Sequence, residues 1–168
     1  MATTSFGAMR GLLNVKFFQT NFSAMEHRSD IKKDNKMKEF QRILKSLYEN
    51  LIMLELYPRS QIDLQVFVLE SDGSYKSAAF NAVSLALMNA GIAMKDYLVA
   101  TTSGLINNVA VLDLIYTEEK KQNCEFVMAC FSQSKNIAYL SLNCNKINAK
   151  DFKNLVEMSQ GSCDQISQ

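Results

Sequence analysis

The chain has 168 residues, of which 48% are hydrophobic and 21% are charged. This length and composition are enough for one folded domain with a core, and they exclude an intrinsically disordered protein. The formal net charge of +1 excludes a chain drawn to nucleic acid by its overall charge, so any contact with RNA depends on a local basic patch.

None of the four cysteines is part of a CxxC pair, and the single histidine, His27, lies far from them in sequence. A zinc site is therefore not expected. No signal peptide and no apolar run of membrane-spanning length are present, so we expect a soluble intracellular protein with reduced thiols and no membrane contact. The cysteines are Cys124, Cys130, Cys144 and Cys163.

The first half of the chain predicts two strand–helix units. Pro58 is expected to end the first helix, and Gly91 stands where a glycine closes the second. Apolar residues at helical spacing predict the first helix, and period-2 alternation predicts the strand that follows it. The predicted elements are a strand within 11–22, a helix over 37–56, a strand over 62–68, a turn at 71–74 and an alanine-rich helix over 77–89.

The second half predicts four short strands and a last helix. Polar turns join the strands closely, which is typical of an antiparallel meander. Asn148 is expected to cap a final helix whose core-facing residues include Leu155 and Cys163. Helices and strands that mix without strict alternation predict an α+β fold with a mostly antiparallel or mixed sheet. The strands are expected at 97–102, 109–116, 124–131 and 136–143.

The turn Asp72-Gly73-Ser74-Tyr75-Lys76 is the first candidate for chemistry. It leads from a strand into a helix, where backbone N–H groups, Ser74 and Lys76 can hold a phosphate. On the residues alone a plain strand-to-helix turn, with Asp72 or Ser74 as the cap, is favoured because a full phosphate-binding signature is missing.

Asp113 is the second candidate, because it is a carboxylate within the apolar segment VAVLDLIY. Such a group either pairs with a partner or has a function. Glu118 and Glu119 follow closely, so a carboxylate cluster for acid catalysis or magnesium binding is one interpretation. An Asp satisfied by turn backbone, with solvated glutamates, is the favoured alternative on sequence alone.

A basic segment is the third candidate. It attracts a phosphate backbone in principle, but Asp30, Asp34 and Glu39 interrupt it, and mixed charge is usually a solvated loop. The two interpretations stay open at equal weight. The basic residues are Arg28, Lys32, Lys33, Lys36 and Lys38, with Arg42 and Lys45 on the helix behind.

The order of these motifs along the chain resembles their order in the RNase-PH-type subunits of the RNA exosome ring. The most specific part is PRSQID at 58–63 with AGI at 90–92 and Met94-Lys95-Asp96 downstream. The resemblance covers most of 12–166. It is also carried by Asp72-Gly73, Asn81-Ala82, Ser103-Gly104, Asp113-Leu114 and Glu118-Glu119.

The resemblance implies a two-layer RNase PH-like fold with helices packed on a mixed sheet. It implies an N-terminally truncated domain, with 1–11 unmatched and 12–168 a partial RNase PH domain. The implied partners are RNA, other RNase-PH-like ring subunits, cap subunits and a hydrolytic nuclease. The implied locations are the nucleus, the nucleolus and the cytoplasm.

The resemblance also bears on catalysis. Ser74, Tyr75 and Lys76 stand where phosphorolytic relatives have a Gly-Thr-Arg-type turn, and lysine lacks the bidentate fork of arginine. Asp113 and Glu119 match the acidic pair of those relatives. We therefore expect a non-catalytic ring subunit that is not an enzyme and needs no cofactor or metal.

Residues expected to contact phosphate or RNA follow from the same comparison. The alternative function is a phosphorolytic 3′-to-5′ exoribonuclease in which Asp113 is the acid and a magnesium ligand. A third possibility is a truncated product with no stable place in the ring. The expected contact residues are Ser74, Tyr75, Lys76, Arg28, Lys32, Lys33, Lys36 and Arg59.

Overall fold

Helices and strands alternate in the first half of the chain, and strands dominate the second. The structure is a computed structural model that describes residues 10–20, 22–23, 35–107, 109–144 and 146–168. The elements are β1 Leu12–Gln19, α1 Asn35–Leu51, β2 Gln61–Val68, α2 Tyr75–Asn89, β3 Leu98–Ile106, β4 Val109–Leu112, α3 Tyr116–Glu119, β5 Cys124–Phe131, β6 Ile137–Cys144 and α4 Ala149–Ile166.

A parallel pair of strands forms the first sheet. β1 and β2 pair from Leu12 opposite Gln61 to Gln19 opposite Val68. Alternate residues of β1 are buried, because successive side chains of a strand point to opposite faces. The buried face packs against α1, whose core residues recur at helical spacing. These are Met37, Phe40, Leu44, Tyr48 and Leu51.

Helix α1 ends at Leu51, earlier than the predicted end near Pro58. The main chain leaves the helix because Met53 N–H donates to Ala93 O at 3.0 Å and Lys95 N–H donates to Leu51 O at 3.0 Å. A short 3₁₀ turn at Leu54–Leu56 then leads toward β2. Long-range backbone pairing of this kind outweighs local helix periodicity.

Four antiparallel strands form the second sheet in the order β4-β3-β5-β6. The predicted meander is wrong at one connection, since β5 pairs with β3 and not with β4. Strand β4 is also shorter than predicted, because Asp113 takes a φ of 53° and the chain turns into α3. The α+β class and the packing of helices on strands of mixed direction are confirmed.

A buried tyrosine ties α1 to α2 and β3. Tyr48 Oη donates to Phe80 O at 2.7 Å and lies 3.0 Å from Ser84 Oγ, which donates to Leu98 O at 2.7 Å. Burial raises the pKa of the Tyr48 hydroxyl above its usual value. The hydroxyl therefore stays protonated, and it fixes the position of α2 in front of the sheet.

Gly91 closes α2 as predicted. Its φ is +67°; its N–H donates to Met88 O at 3.0 Å, and Ile92 N–H donates to Leu87 O at 3.1 Å. This is the Schellman arrangement, in which a left-handed residue lets two late carbonyls find donors.

We expect Gly91→Ala to lower the free energy of unfolding by about 1 kcal/mol, because an L side chain disfavours the left-handed conformation. A Cβ at this position meets no atom within 4 Å, so the change tests conformation without a clash. Urea denaturation measures it, and an unchanged midpoint would contradict the assigned role.

Candidate functional site

A cleft of about 420 Å³ opens beside the N-terminal end of α2. Its walls are formed by the turn before α2, the first turns of α2, residues 100–102 of β3, the end of β4 with Asp113, and the C-terminal end of α4. It thus brings together segments from both halves of the sequence. The lining residues are Gly73, Ser74, Ser77, Ala78, Asn81, Ala100, Thr101, Thr102, Leu112, Asp113, Ser162, Gln165 and Ile166.

Glycine is required at position 73 by both backbone and space. Its φ is +107°, and a Cβ there would lie 2.2 Å from Leu114 O. Ser74 follows with a φ of 50°, makes no side-chain cap to α2 and donates its Oγ to Leu114 O at 3.1 Å. The predicted serine cap is therefore wrong, because this hydroxyl binds the segment after β4 instead.

The segment after β4 is held against this turn by two further hydrogen bonds and against β3 by a third. Ser74 N–H donates to Glu119 Oε1 at 2.8 Å, and Tyr116 N–H donates to Asp72 O at 2.8 Å. Asp113 N–H donates to Thr102 O of β3 at 2.9 Å. The Asp113 side chain is exposed and lines the cleft. Two candidates far apart in sequence thus become one site.

The carboxylates do not gather as one cluster. Glu119 accepts from Ser74 N–H, and Glu118 Oε2 accepts from Ile115 N–H at 3.2 Å. Among the described residues no group of three or more His, Cys, Asp or Glu side chains could hold a metal ion. Asp113 is therefore the carboxylate that faces the cleft, and the magnesium cluster considered above is not formed by these residues.

Two expected phosphate contacts point elsewhere. The Tyr75 ring lies 6.4 Å from the rings of Phe17 and Phe40 and packs against the hydrophobic core that β1, α1 and α2 share. Lys76 Nζ donates to Glu125 Oε1 at 2.7 Å. Burial alone would lower the pKa of the Lys76 ammonium, but the Glu125 carboxylate outweighs it and the pKa is raised. Neither side chain lines the cleft.

Only two of the remaining basic contact candidates, Lys36 and Arg59, are among the described residues. Arg28, Lys32 and Lys33 lie outside the described residues. Lys36 is exposed in the first turn of α1, and Arg59 is exposed in the turn before β2. Their contact with RNA stays a prediction, since neither of these two lines the cleft.

Sequence reasoning missed the polar stripe of α2. Asn81 Nδ2 donates to Ala100 O at 2.9 Å, and Ala100 N–H donates to Asn81 Oδ1 at 2.7 Å. Thr102 Oγ1 donates to Ser77 Oγ at 2.9 Å, and Ser77 Oγ donates to Ser74 O at 2.8 Å. Polar residues at helical spacing in an apolar helix were the available signal.

We expect Asn81→Asp to lower the free energy of unfolding by about 1–3 kcal/mol, because a carboxylate oxygen then faces Ala100 O without a donor. Denaturant unfolding measures the loss. Asn154→Asp is the matched control, since Asn154 is exposed on α4 and should change stability by less than about 0.5 kcal/mol. Equal effects of the two changes would contradict the pairing.

No helix within the described part of the chain is long and apolar enough to cross a membrane. Two family models match the chain. The model for domain 1 of the RNase PH 3′ exoribonuclease family matches residues 2–93, and the model for domain 2 matches residues 96–162.

Curated relatives give the same result. The chain is 35% identical over 134 residues to mouse exosome complex component RRP41, covering 80% of this chain and 55% of the relative. It is 34% identical over 134 residues to exosome complex component Rrp41 of Pyrobaculum aerophilum, covering 80% of this chain and 54% of that one. The chain thus spans about half the length of these relatives.

Solved structures share the fold. Rice Rrp46 superposes with a TM-score of 0.77 at 21% identity, covering 92% of this chain and 69% of that one. An Archaeoglobus fulgidus exosome structure, described as having RNA bound to the active site, gives a TM-score of 0.74 at 13% identity and covers 94% and 70%. The RNase PH-like fold is therefore confirmed.

The expectation that this chain is not an enzyme is contradicted. Both matched models describe a 3′ exoribonuclease family, and the relatives include an archaeal Rrp41. The expectation depended on the altered residues Ser74, Tyr75 and Lys76. Ser74 and Asp113 line the cleft, whereas Tyr75 and Lys76 do not, so the changes at positions 75 and 76 are no evidence against a reaction there.

Proposed function

Because the chain belongs to the RNase PH 3′ exoribonuclease family, we propose that it is an exosome-type subunit whose cleft accepts the 3′ end of an RNA. One observation carries the proposal. Asp113, which matches the acidic pair of the active relatives, and Ser74, in the turn where this chain departs from them, line the same cleft; Ser74 is hydrogen-bonded to Leu114 and Glu119 of the segment that carries Asp113. A carboxyl group therefore stands beside a wall that carries several hydroxyl groups.

The reaction we propose is phosphorolysis. An oxygen of inorganic phosphate attacks the phosphorus of the last phosphodiester. The bond from that phosphorus to the 3′ oxygen of the preceding nucleotide breaks, and a nucleoside diphosphate leaves. The carboxyl of Asp113 gives its proton to the departing 3′ oxygen, as a general acid does. The hydroxyls of Ser74 and Ser77 donate to Leu114 O and to Ser74 O, so each would have to rotate away from that acceptor to donate to a phosphate oxygen.

The described lining of the cleft carries no positively charged side chain. Both RNA and phosphate are anionic, and binding them calls for cations. No Lys or Arg is among the described residues that line the cleft. We therefore assign charge neutralisation to basic groups outside this described lining, either Arg28, Lys32 and Lys33 of this chain or side chains of a neighbouring ring subunit.

The test is to combine the chain with its pairing RNase-PH-type subunit and a 3′-labelled RNA, with and without phosphate. We expect nucleoside diphosphates only when phosphate is present. Release of nucleoside monophosphates without phosphate, or no release by a complex that has formed, would contradict phosphorolysis. Failure to co-purify with any ring subunit would contradict the assembly and leave the truncated-product alternative.

A further inference from the structure

The cysteines of the chain lie in two pairs where α4 packs on the second sheet: Cys124 with Cys144, and Cys130 with Cys163 of α4. Cys124 and Cys130 stand near the two ends of β5, on the same face because they are an even number of residues apart. Both belong, with Leu155 and Cys163, to a second hydrophobic core that lies between the four-stranded sheet and α4, and Cys144 packs against that core. All four cysteines of the sequence are therefore paired in space, although none is paired by spacing.

The first pair joins two neighbouring strands. Cys124 lies directly opposite Cys144 in the antiparallel pairing of β5 with β6. Directly opposed residues have Cα atoms about 4.5–5.5 Å apart, and disulfides form between Cα atoms about 4.4–6.8 Å apart. A disulfide between these two residues thus requires no change of strand register.

The two thiols of this pair differ in access. Cys124 is 1% exposed, and burial together with the neighbouring Cys144 raises the pKa of its thiol. Cys144 is half-buried at the end of β6, which is an edge strand of the sheet. An oxidant from solvent therefore reaches Cys144 before Cys124, and the buried Cys124 stays a protonated thiol until Cys144 has reacted.

We propose that Cys144 and Cys124 form a reversible dithiol–disulfide site that reacts with hydrogen peroxide. The sulfur of Cys144 attacks one peroxide oxygen, the O–O bond breaks, and a sulfenic acid and water form. The sulfur of Cys124 then displaces the sulfenic hydroxyl and loses its proton, which gives a disulfide and a second water. Two thiols are oxidised by two electrons and one peroxide is reduced.

The second pair supplies a control within the same chain. Cys130 and Cys163 are 5% and 3% exposed. Cys163 Sγ lies 3.6 Å from Thr101 Oγ1 and 3.6 Å from Val99 O, so it is enclosed by β3 and α4. Because neither member is accessible, this pair should oxidise more slowly than Cys124 with Cys144.

The experiment treats the purified, reduced full chain with hydrogen peroxide, blocks remaining thiols with an alkylating agent, and maps peptides without reduction. We expect a Cys124–Cys144 cross-link that dithiothreitol reverses, formed roughly tenfold faster than any Cys130–Cys163 cross-link because reactivity follows exposure. The oxidised chain should also melt at a higher temperature, because the cross-link restrains the unfolded state.

Two variants make the order of events testable. In Cys124→Ser, Cys144 should accumulate as a sulfenic acid that a dimedone probe labels. In Cys144→Ser, Cys124 should stay reduced. Overturning results are Cys144 passing to sulfinic acid without a cross-link in the unmodified chain, or a Cys130–Cys163 cross-link that forms first. Circular dichroism of each variant checks that it is folded, and the unmodified chain decides the proposal if one is not.

Discussion

Gly73→Ala is expected to destabilise the chain by at least about 3 kcal/mol and to destroy the cleft. The substituted residue would keep a φ of +107° only under strain, and its Cβ would lie 2.2 Å from Leu114 O. To relieve the clash, the turn before α2 must separate from the segment after β4. The Ser74 bonds to Leu114 O and Glu119 would then be lost together.

Denaturant unfolding of the purified variant measures the first effect. Gly161→Ala is the matched control, because Gly161 lies within α4 and a Cβ there meets no atom within 4 Å. That change should stabilise the chain by about 0.5–1 kcal/mol through helix propensity. A Gly73→Ala chain as stable as the unmodified one would show that the turn does not hold the two segments together.

Much of the first half could be predicted, because its local signals agree with its tertiary contacts. The alternation in β2 and the glycine at the end of α2 both lead to the elements observed. The end of α1 could not be predicted in this way. It is set by bonds from Met53 and Lys95 to partners distant in sequence, which a local pattern does not contain.

The candidate site was predicted by residue type but not by arrangement. The sequence indicated the turn at 72–76 and Asp113 as separate candidates, and the structure joins them. It also turns Tyr75 into the core and pairs Lys76 with Glu125, because side chains in the first turn of a helix point in several directions. The pairing of Asn81 with β3 was missed because its partner, Ala100, contributes only backbone atoms.

Asp113→Asn is expected to lower the rate of nucleoside diphosphate release about 10²–10⁴-fold, because an amide cannot act as the general acid. Asp113 has a φ of 53°, and asparagine tolerates this left-handed region as well as aspartate does. Stability should therefore change little. The assay is phosphate-dependent release from labelled RNA by the chain in complex with its pairing subunit, with a thermal melt of the same preparation.

Two further variants separate chemistry from folding at this position. Asp113→Ala removes the acid but also fits the left-handed backbone poorly, so it should lose both activity and stability. Glu157→Gln makes the same carboxylate-to-amide change on the exposed side of α4, where Glu157 lies 3.6 Å from Lys153, and should leave the rate unchanged.

If Asp113→Asn kept the rate within about twofold, the acid would have to be another group. If it lost rate and folding together, Asp113 would be structural. The expected result is a loss of rate at saturating phosphate without a loss of folding. Asp113 lines the cleft, and its backbone N–H stays bonded to Thr102 O whichever side chain it carries.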